Sequence, residues 1–280
     1  NDLYKDLLIG VTRFFRDAEA YERLETETIP GIIQRAEPSE EIRVWVAGCA
    51  TGEEAYSIAM LFHEQLTMAQ RPLNFKMFAT DVHRTSIQTA AQGVYSEKSL
   101  SEMTADRKAR YFREKDGVFH VTQELRQMIV FAPHNVISDA PFTQQDMVTC
   151  RNLLIYLQPT AQRKALSLFH FALKTGGTLL LGPSETPGEI ADEFEVIDKR
   201  WKLYRKRRDV RLPPEMRMPL AVSQMPRGIS TSRISRAAGF DNQLLATYDR
   251  LLEEYMPPSF LVDEGFDLVH TFGGAERFLQ

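Results

Sequence analysis

Hydrophobic and polar positions alternate between two periods along most of the chain. Leu3, Leu7, Leu8 and Val11 form a short apolar stripe, and a helix through Ala20, Leu24 and Ile29 is limited by Pro30. Val44-Trp45-Val46-Ala47 then reads as a buried strand, rich in β-branched and aromatic side chains. Ile58, Ala59, Leu61, Phe62 and Leu66 return to helical spacing. Phe75 to Asp81 predicts a second strand, with helical stretches over 87–91 and 100–112. Residues 129–136 and 146–152 predict a third and a fourth strand. A helix over 159–174 meets Gly176-Gly177 as its C-cap, and 178–182 is a fifth strand. Phe194-Glu195-Val196-Ile197 and Trp201-Lys202-Leu203-Tyr204 close as an antiparallel hairpin. Alternating strands and helices of this kind predict an α/β fold, a doubly wound, Rossmann-like sheet that is mostly parallel with an antiparallel edge hairpin. Asp116-Gly117, between apolar flanks, predicts a small β-ribbon near 111–131.

The pattern also divides the chain. Residues 1–36 read as a helical segment and 37–205 as the main domain. From Arg205-Lys206-Arg207-Arg208 onwards charge, proline and serine dominate, so 206–239 is a linker and the basic run a solvated part of it. Residues 240–280 regain helical spacing at Leu244, Leu245, Tyr248, Leu251, Leu252 and Tyr255, then form a hairpin from Pro257 to His270 that stops too early to close its own core.

Bulk properties narrow the function. A net charge of −4 over 280 residues argues against a nucleic-acid partner. No apolar run is long enough to span a bilayer, so no membrane insertion is expected. The chain begins at Asn1 without a signal-peptide pattern and reads as part of a longer protein. Two cysteines, Cys49 and Cys150, suit a reducing cytoplasm and read as small buried side chains. The six histidines show no metal-site spacing, so no metal is expected.

The candidate chemistry centres on Val44 to Ala59: strand, glycine turn at Gly48 and Gly52, helix. Thr51 and Glu54 fit a capping box. Such a unit opens many nucleotide-binding folds. A dinucleotide site would need Gly-x-Gly-x-x-Gly, and a P-loop would need Gly-Lys-Ser/Thr; Gly52-Glu53 opposes phosphate. Asp81, at the end of the second strand and roughly 30 residues after the turn, could be a helix N-cap, but beside the glycine turn a ribose contact is the better reading. Phe14-Phe15 between Arg13 and Arg16 reads either as a core anchor with solvated cations or as a loop that folds over a ligand and points an arginine into it.

Four blocks occur in order: Val11-Thr12-x-Phe14-Phe15-Arg16, Ala50-Thr51-Gly52-Glu53-Glu54-x-Tyr56-Ser57, Ala79-Thr80-Asp81, and Cys150-Arg151-Asn152-x-x-Ile155-Tyr156. Over about residues 7–205 the chain resembles the CheR-type chemotaxis receptor glutamate O-methyltransferases. The resemblance implies S-adenosylmethionine as donor, and as acceptors glutamates on the cytoplasmic helices of methyl-accepting chemoreceptors. By position it implies that Thr12 and Arg16 close over the cofactor, Gly48 and Gly52 underlie it, and Glu53 meets its ammonium. Asp81 would take the ribose, Asn135 and Val136 would flank the adenine, and Arg151 and Asn152 would lie beneath the sulfonium. Tyr156, with Arg16 and Arg151, is the candidate for orienting the reacting groups. Most of the family's N-terminal helical domain is missing here, and Gly10 stands where the family carries Asn. The short Asp116-Gly117 turn lacks the longer glycine-rich turn of members that tether to a receptor's C-terminal pentapeptide, so independence of that tether is expected. Residues 241–280, above all Pro258 to Asp263, resemble the start of a PAS sensor domain. The alternative reading is a cofactor-binding signalling scaffold with weakened catalysis.

Overall fold

The computed structural model describes residues 12–38, 40–69, 73–210, 259–262 and 268–272. The chain divides into two compact units, Asn1–Met218 and Pro219–Gln280. The N-terminal helices therefore belong to the same unit as the sheet.

The first unit is built on a seven-stranded sheet: β1 (Glu41–Ala47), β2 (Asn74–Asp81), β6 (Ile129–Pro133), β7 (Gln145–Cys150), β8 (Leu173–Leu181), β9 (Phe194–Asp198) and β10 (Leu203–Lys206), in the order β6-β2-β1-β7-β8-β10-β9. The pairs β6/β2, β2/β1, β1/β7 and β7/β8 are parallel; β10 runs antiparallel between β8 and β9. The expected sheet with an antiparallel hairpin at its edge is what forms. Parallel strands need both faces covered, and β1 shows how. Val44 and Val46 join the buried cluster that includes Tyr56, Ile58 and Phe62 of α3 (Glu53–Ala69). Trp45 points to the opposite face, edge-on to Phe142 and to Phe169 of α7 (Pro159–Ala172), and its Nε1–H donates to Thr80 Oγ1 at 2.9 Å.

Three expectations need correction. The N-terminal helix does not stop at Pro30. It runs as α1 (Ala18–Arg23), a π-helical turn (Leu24–Thr28) and α2 (Ile29–Arg35), with Pro30 in the first turn of α2. There the missing N–H costs little, and the wider turn before it accommodates the ring. The ribbon hairpin forms where expected, within 111–131, but it ends at Val121 and gains a third strand from outside that range. It is a three-stranded sheet of β3 (Val94–Tyr95), β4 (Phe112–Lys115) and β5 (Val118–Val121), lying between α4 (Arg84–Gln92), α5 (Ala105–Tyr111) and α6 (Gln123–Gln127) in the sequence; residues 129–131 belong to the main sheet. Asp116 and Gly117 do form its turn, both with positive φ.

The third correction concerns the end of α7 and the basic run. The helix ends at Ala172, and β8 runs on through Gly176 and Gly177. No glycine cap is needed because Lys206 caps the helix from a distance. Its Nζ donates to the carbonyls of His170 and Leu173, both at 2.7 Å, and pairs with Asp209 at 2.6 Å. A cation suits a helix C-terminus. Lys206 is the last residue of β10 and only 2% exposed, so this part of the basic run is interior strand and not solvated linker.

In the second unit, β11 (Ser259–Val262) pairs antiparallel with β12 (Leu268–Phe272), which is the expected hairpin. The stripe at 3–11, Gly10, the residues 211–239 of the linker, and the helix over 240–256 lie outside the described residues. Lys206→Met retains the aliphatic stem but leaves two carbonyls without their donor. It is expected to lower unfolding free energy by about 1–3 kcal/mol in chemical denaturation, with no change in cofactor affinity.

Candidate functional site

The site forms where the sheet order reverses, at the carboxyl ends of β1, β2 and β7, as it does in open α/β sheets generally. The turn after β1 is held from β2. The Thr80 carbonyl accepts from Gly48 N (2.7 Å) and Cys49 N (2.9 Å), and Asp81 Oδ2 accepts from Ala50 N (2.9 Å). Asp81 Oδ1 accepts from His83 N at 2.9 Å. Both oxygens retain acceptor capacity, since a carboxylate offers about four lone-pair sites. Gly48, Ala50 and Gly52 all have positive φ. A Cβ at Gly52 would lie 2.8 Å from Ala90 Cβ and 3.0 Å from the Tyr95 hydroxyl, so only glycine fits. Tyr95 in turn donates to the Thr51 carbonyl at 2.7 Å, which ties the ribbon to the turn.

The capping box does not form. Thr51 Oγ1 donates to Glu53 Oε2 at 2.7 Å, and Glu54 turns inwards to Thr149 Oγ1 (2.8 Å) and Arg151 (3.6 Å). Burial pushes the carboxyls of both Glu53 and Glu54 above the ordinary range; for Glu54 the Arg151 guanidinium opposes that rise, with Arg16 adding to the opposition. A buried cation outcompetes the helix terminus for Glu54 because an unpaired charge in the interior is far costlier than an uncapped N–H.

Segment 12–17 packs against the neighbourhood of this turn, and the core-anchor reading holds for its aromatic pair. Phe14 is buried edge-on to Tyr95 (4.9 Å) and Phe112 (5.6 Å). Phe15 N donates to Ser57 Oγ at 3.0 Å, and the Arg107 guanidinium stacks 4.9 Å above the Phe15 ring while binding Glu25 and Glu64. Arg13 pairs with Glu102 at the surface. Thr12 and Arg16 are half-buried. Arg151 fastens this segment to the end of β7: Nη2 pairs with Asp17 Oδ2 at 2.5 Å and donates to the Arg16 carbonyl at 3.2 Å. Its side chain is 2% exposed, and it also reaches the Tyr21 hydroxyl.

The remaining candidates sit on two loops. After β6, Asn135 is exposed and Val136 buried. The loop is held by Asn135 N to Asp139 (2.7 Å), Ile137 N to Asn135 Oδ1 (3.0 Å) and His134 Nε2 to the Ala140 carbonyl (2.9 Å). After β7, Asn152 has φ +58°, and Tyr156 ends a short 3₁₀ turn (Leu154–Tyr156), 58% exposed and without a hydrogen bond from its hydroxyl to any described residue. Sequence reasoning missed Asp17, Tyr95 and Glu185, whose contacts to the site come from far along the chain. Cys49 and Cys150 are free, buried thiols, pushed up by burial. Among the described residues no group of three His, Cys, Asp or Glu could hold a metal, and no helix is long and apolar enough to cross a membrane.

The profile of the CheR methyltransferase SAM-binding domain matches residues 10–203. The chain belongs to the CheR methyltransferase family. A 104.1 kDa protein from the hypE 3′ region of Rhodobacter capsulatus is 39% identical over 279 residues, 99% of this chain and 29% of that protein. The putative methyltransferase Cher3 of Pseudomonas putida is 35% identical over 214 residues, covering 73% of this chain and 76% of that one. Chemotaxis protein methyltransferase 2 of Vibrio cholerae is 32% identical over 194 residues, 68% and 67% of the two chains. The chain thus spans under a third of the length of the Rhodobacter relative.

The cofactor of this CheR domain is S-adenosylmethionine, and the residues at the turn suit it. They present two carboxylates, Glu53 and Asp81, and no lysine, which fits a ligand carrying an ammonium and ribose hydroxyls and not one carrying phosphate. An ammonium against Glu53 would favour its ionised form, so binding expels a proton and affinity falls as pH drops through the raised pKa. By the same sign, the ligand-free protein loses stability as pH rises through that window, because the folded state holds the proton more tightly than the unfolded chain. Calorimetric titration with S-adenosylhomocysteine is expected to show weakening affinity from about pH 8 to about pH 5. Glu53→Gln is expected to flatten that dependence and to weaken binding about 10- to 100-fold at neutral pH.

Proposed function

We propose that the first unit transfers the methyl group of S-adenosylmethionine to glutamate side-chain carboxylates on the cytoplasmic helices of chemoreceptors, giving methyl esters. The observation that carries this reading is the arrangement at the reversal point: an acid-lined glycine turn, with the arginine-bearing segment 12–17 fastened to the end of β7 beside it. The bound cofactor supplies an electrophilic methyl on a sulfonium, open to in-line displacement. A glutamate acceptor is already ionised at neutral pH, so the chain needs no general base. Its residues instead align and exclude water, the contribution that effective molarity measures. Gly48 and Gly52 admit the ligand close to the backbone, Glu53 and Asp81 orient its ammonium and ribose ends, and Asn135 and Val136 border the adenine. Thr12 and Arg16 cover the site, with Arg16 drawing in the acceptor carboxylate. Arg151 keeps the lid and Glu54 in place, Asn152 shapes the floor, and exposed Tyr156 orients the acceptor.

The tight two-residue turn of the ribbon, at Asp116 and Gly117, supports recognition without a C-terminal pentapeptide tether. The hairpin of β11 and β12 supports a sensor-like PAS start for the second unit. The test is transfer of tritium from labelled S-adenosylmethionine to receptor-containing membranes. Base-labile label is expected with the native chain, together with a loss of about 100-fold or more in Arg16→Ala. Tight S-adenosylhomocysteine binding with no base-labile label would instead identify a cofactor-binding scaffold. Saturable binding of the tethering pentapeptide would overturn independence of the tether.

A further inference from the structure

Glu185 follows β8 in Gly182-Pro183-Ser184-Glu185 and is only 3% exposed. Its carboxylate collects four backbone N–H groups from two separate loops. Oε2 accepts from Gly182 N at 2.6 Å and Asn152 N at 3.1 Å; Oε1 accepts from Leu154 N at 2.7 Å and Ile155 N at 3.4 Å. No lysine, arginine or histidine forms an ion pair with it among the described residues; its partners are backbone N–H groups. The packing leaves no slack. A Cβ on Gly182 would stand 2.7 Å from Glu185 Oε2 and 2.8 Å from Asn152 N. The loop gathered in this way is the one that leaves β7 at the reversal point, and it carries Asn152 in a left-handed conformation and Tyr156 at its exposed end.

A residue needed only to bury a loop could be apolar, and this one is charged and bound to consecutive turns of the same loop. We propose that Glu185 is a positioning residue for methyl transfer: it fixes the backbone of 152–155, and through it the placement of Asn152 against the cofactor and of Tyr156 against the acceptor. The proposal rests on the reading of this site as a methyl-transfer site. A carboxamide has the same outline but turns an N–H₂ towards N–H donors, so Glu185→Gln breaks part of the set of hydrogen bonds without emptying the space.

The experiment is a double-mutant cycle of Glu185→Gln with Tyr156→Phe, read by steady-state methyl transfer and by calorimetric S-adenosylhomocysteine binding. Glu185→Gln alone is expected to lower kcat about 100-fold, as displacement of a reacting group by about 1 Å would do, while the KM for S-adenosylmethionine rises only about tenfold, the part carried by Asn152. In the Tyr156→Phe background the same change is expected to cost less than about tenfold, because the group it positions has been removed. Equal costs in both backgrounds, or an unaltered kcat, would overturn the proposal. Should the native chain bind S-adenosylhomocysteine yet transfer no methyl, the activity proposed above fails separately. Glu185 is then judged on binding alone, where a roughly tenfold loss through Asn152 supports it and an unchanged affinity overturns it. If Glu185→Gln does not fold, Gly182→Ala, which presses on the same carboxylate, takes its place in the cycle.

Discussion

Arg151 is the charge on which this site depends. Its guanidinium is almost wholly withdrawn from water, and it binds Asp17 of segment 12–17, stands near Glu54 of α3 and reaches Tyr21 of α1. Three elements that come from distant parts of the chain converge on one cation at the end of β7. A buried charge of this kind adds little net stability over an apolar replacement, but losing one partner leaves the rest uncompensated, at a cost of roughly 3–5 kcal/mol. Its value is therefore in specifying one arrangement. Glu54 cannot serve the helix terminus while Arg151 is present, and Asp17 is held in a left-handed conformation (φ +66°) that an unpaired aspartate would rarely keep.

The same economy recurs around the sheet. Backbone groups that a sequence pattern would assign to local caps are satisfied by side chains from far away. Lys206 closes α7, Asp81 holds the N–H of Ala50, Tyr95 holds the carbonyl of Thr51, and Glu185 gathers the loop after β7. The last three bind loops and strand ends together at the carboxyl edge of the sheet, where the fold has no regular hydrogen-bond ladder to do so, and Lys206 does the same for a helix end at the opposite edge.

How much of this was legible in the sequence follows from that division. The sheet could be read because each strand and helix announces itself locally, through Val44-Trp45-Val46 or the spacing of Ile58, Leu61 and Phe62. The glycine turn and Asp81 could be read because their spacing follows from one strand–helix–strand unit. What could not be read were partners separated by long stretches of chain: Asp17 and Arg151 lie 134 residues apart, and Glu185 and Asn152 lie 33 apart. Thr51 and Glu54 matched a local motif that a tertiary cation overrode, and Gly176-Gly177 matched a helix cap that Lys206 made unnecessary. Pro30 misled for a related reason, since its position within a turn decides whether it ends a helix or begins one.

Segment 12–17 is fastened on both flanks: Phe14 and Phe15 are set into the aromatic and cationic surroundings of the ribbon and α5, and Arg151 holds Asp17 from the other side. Under the proposed reading, with the cofactor beneath this segment, the ligand would exchange with solvent only as fast as those contacts come apart, and residence time would be the quantity the segment controls.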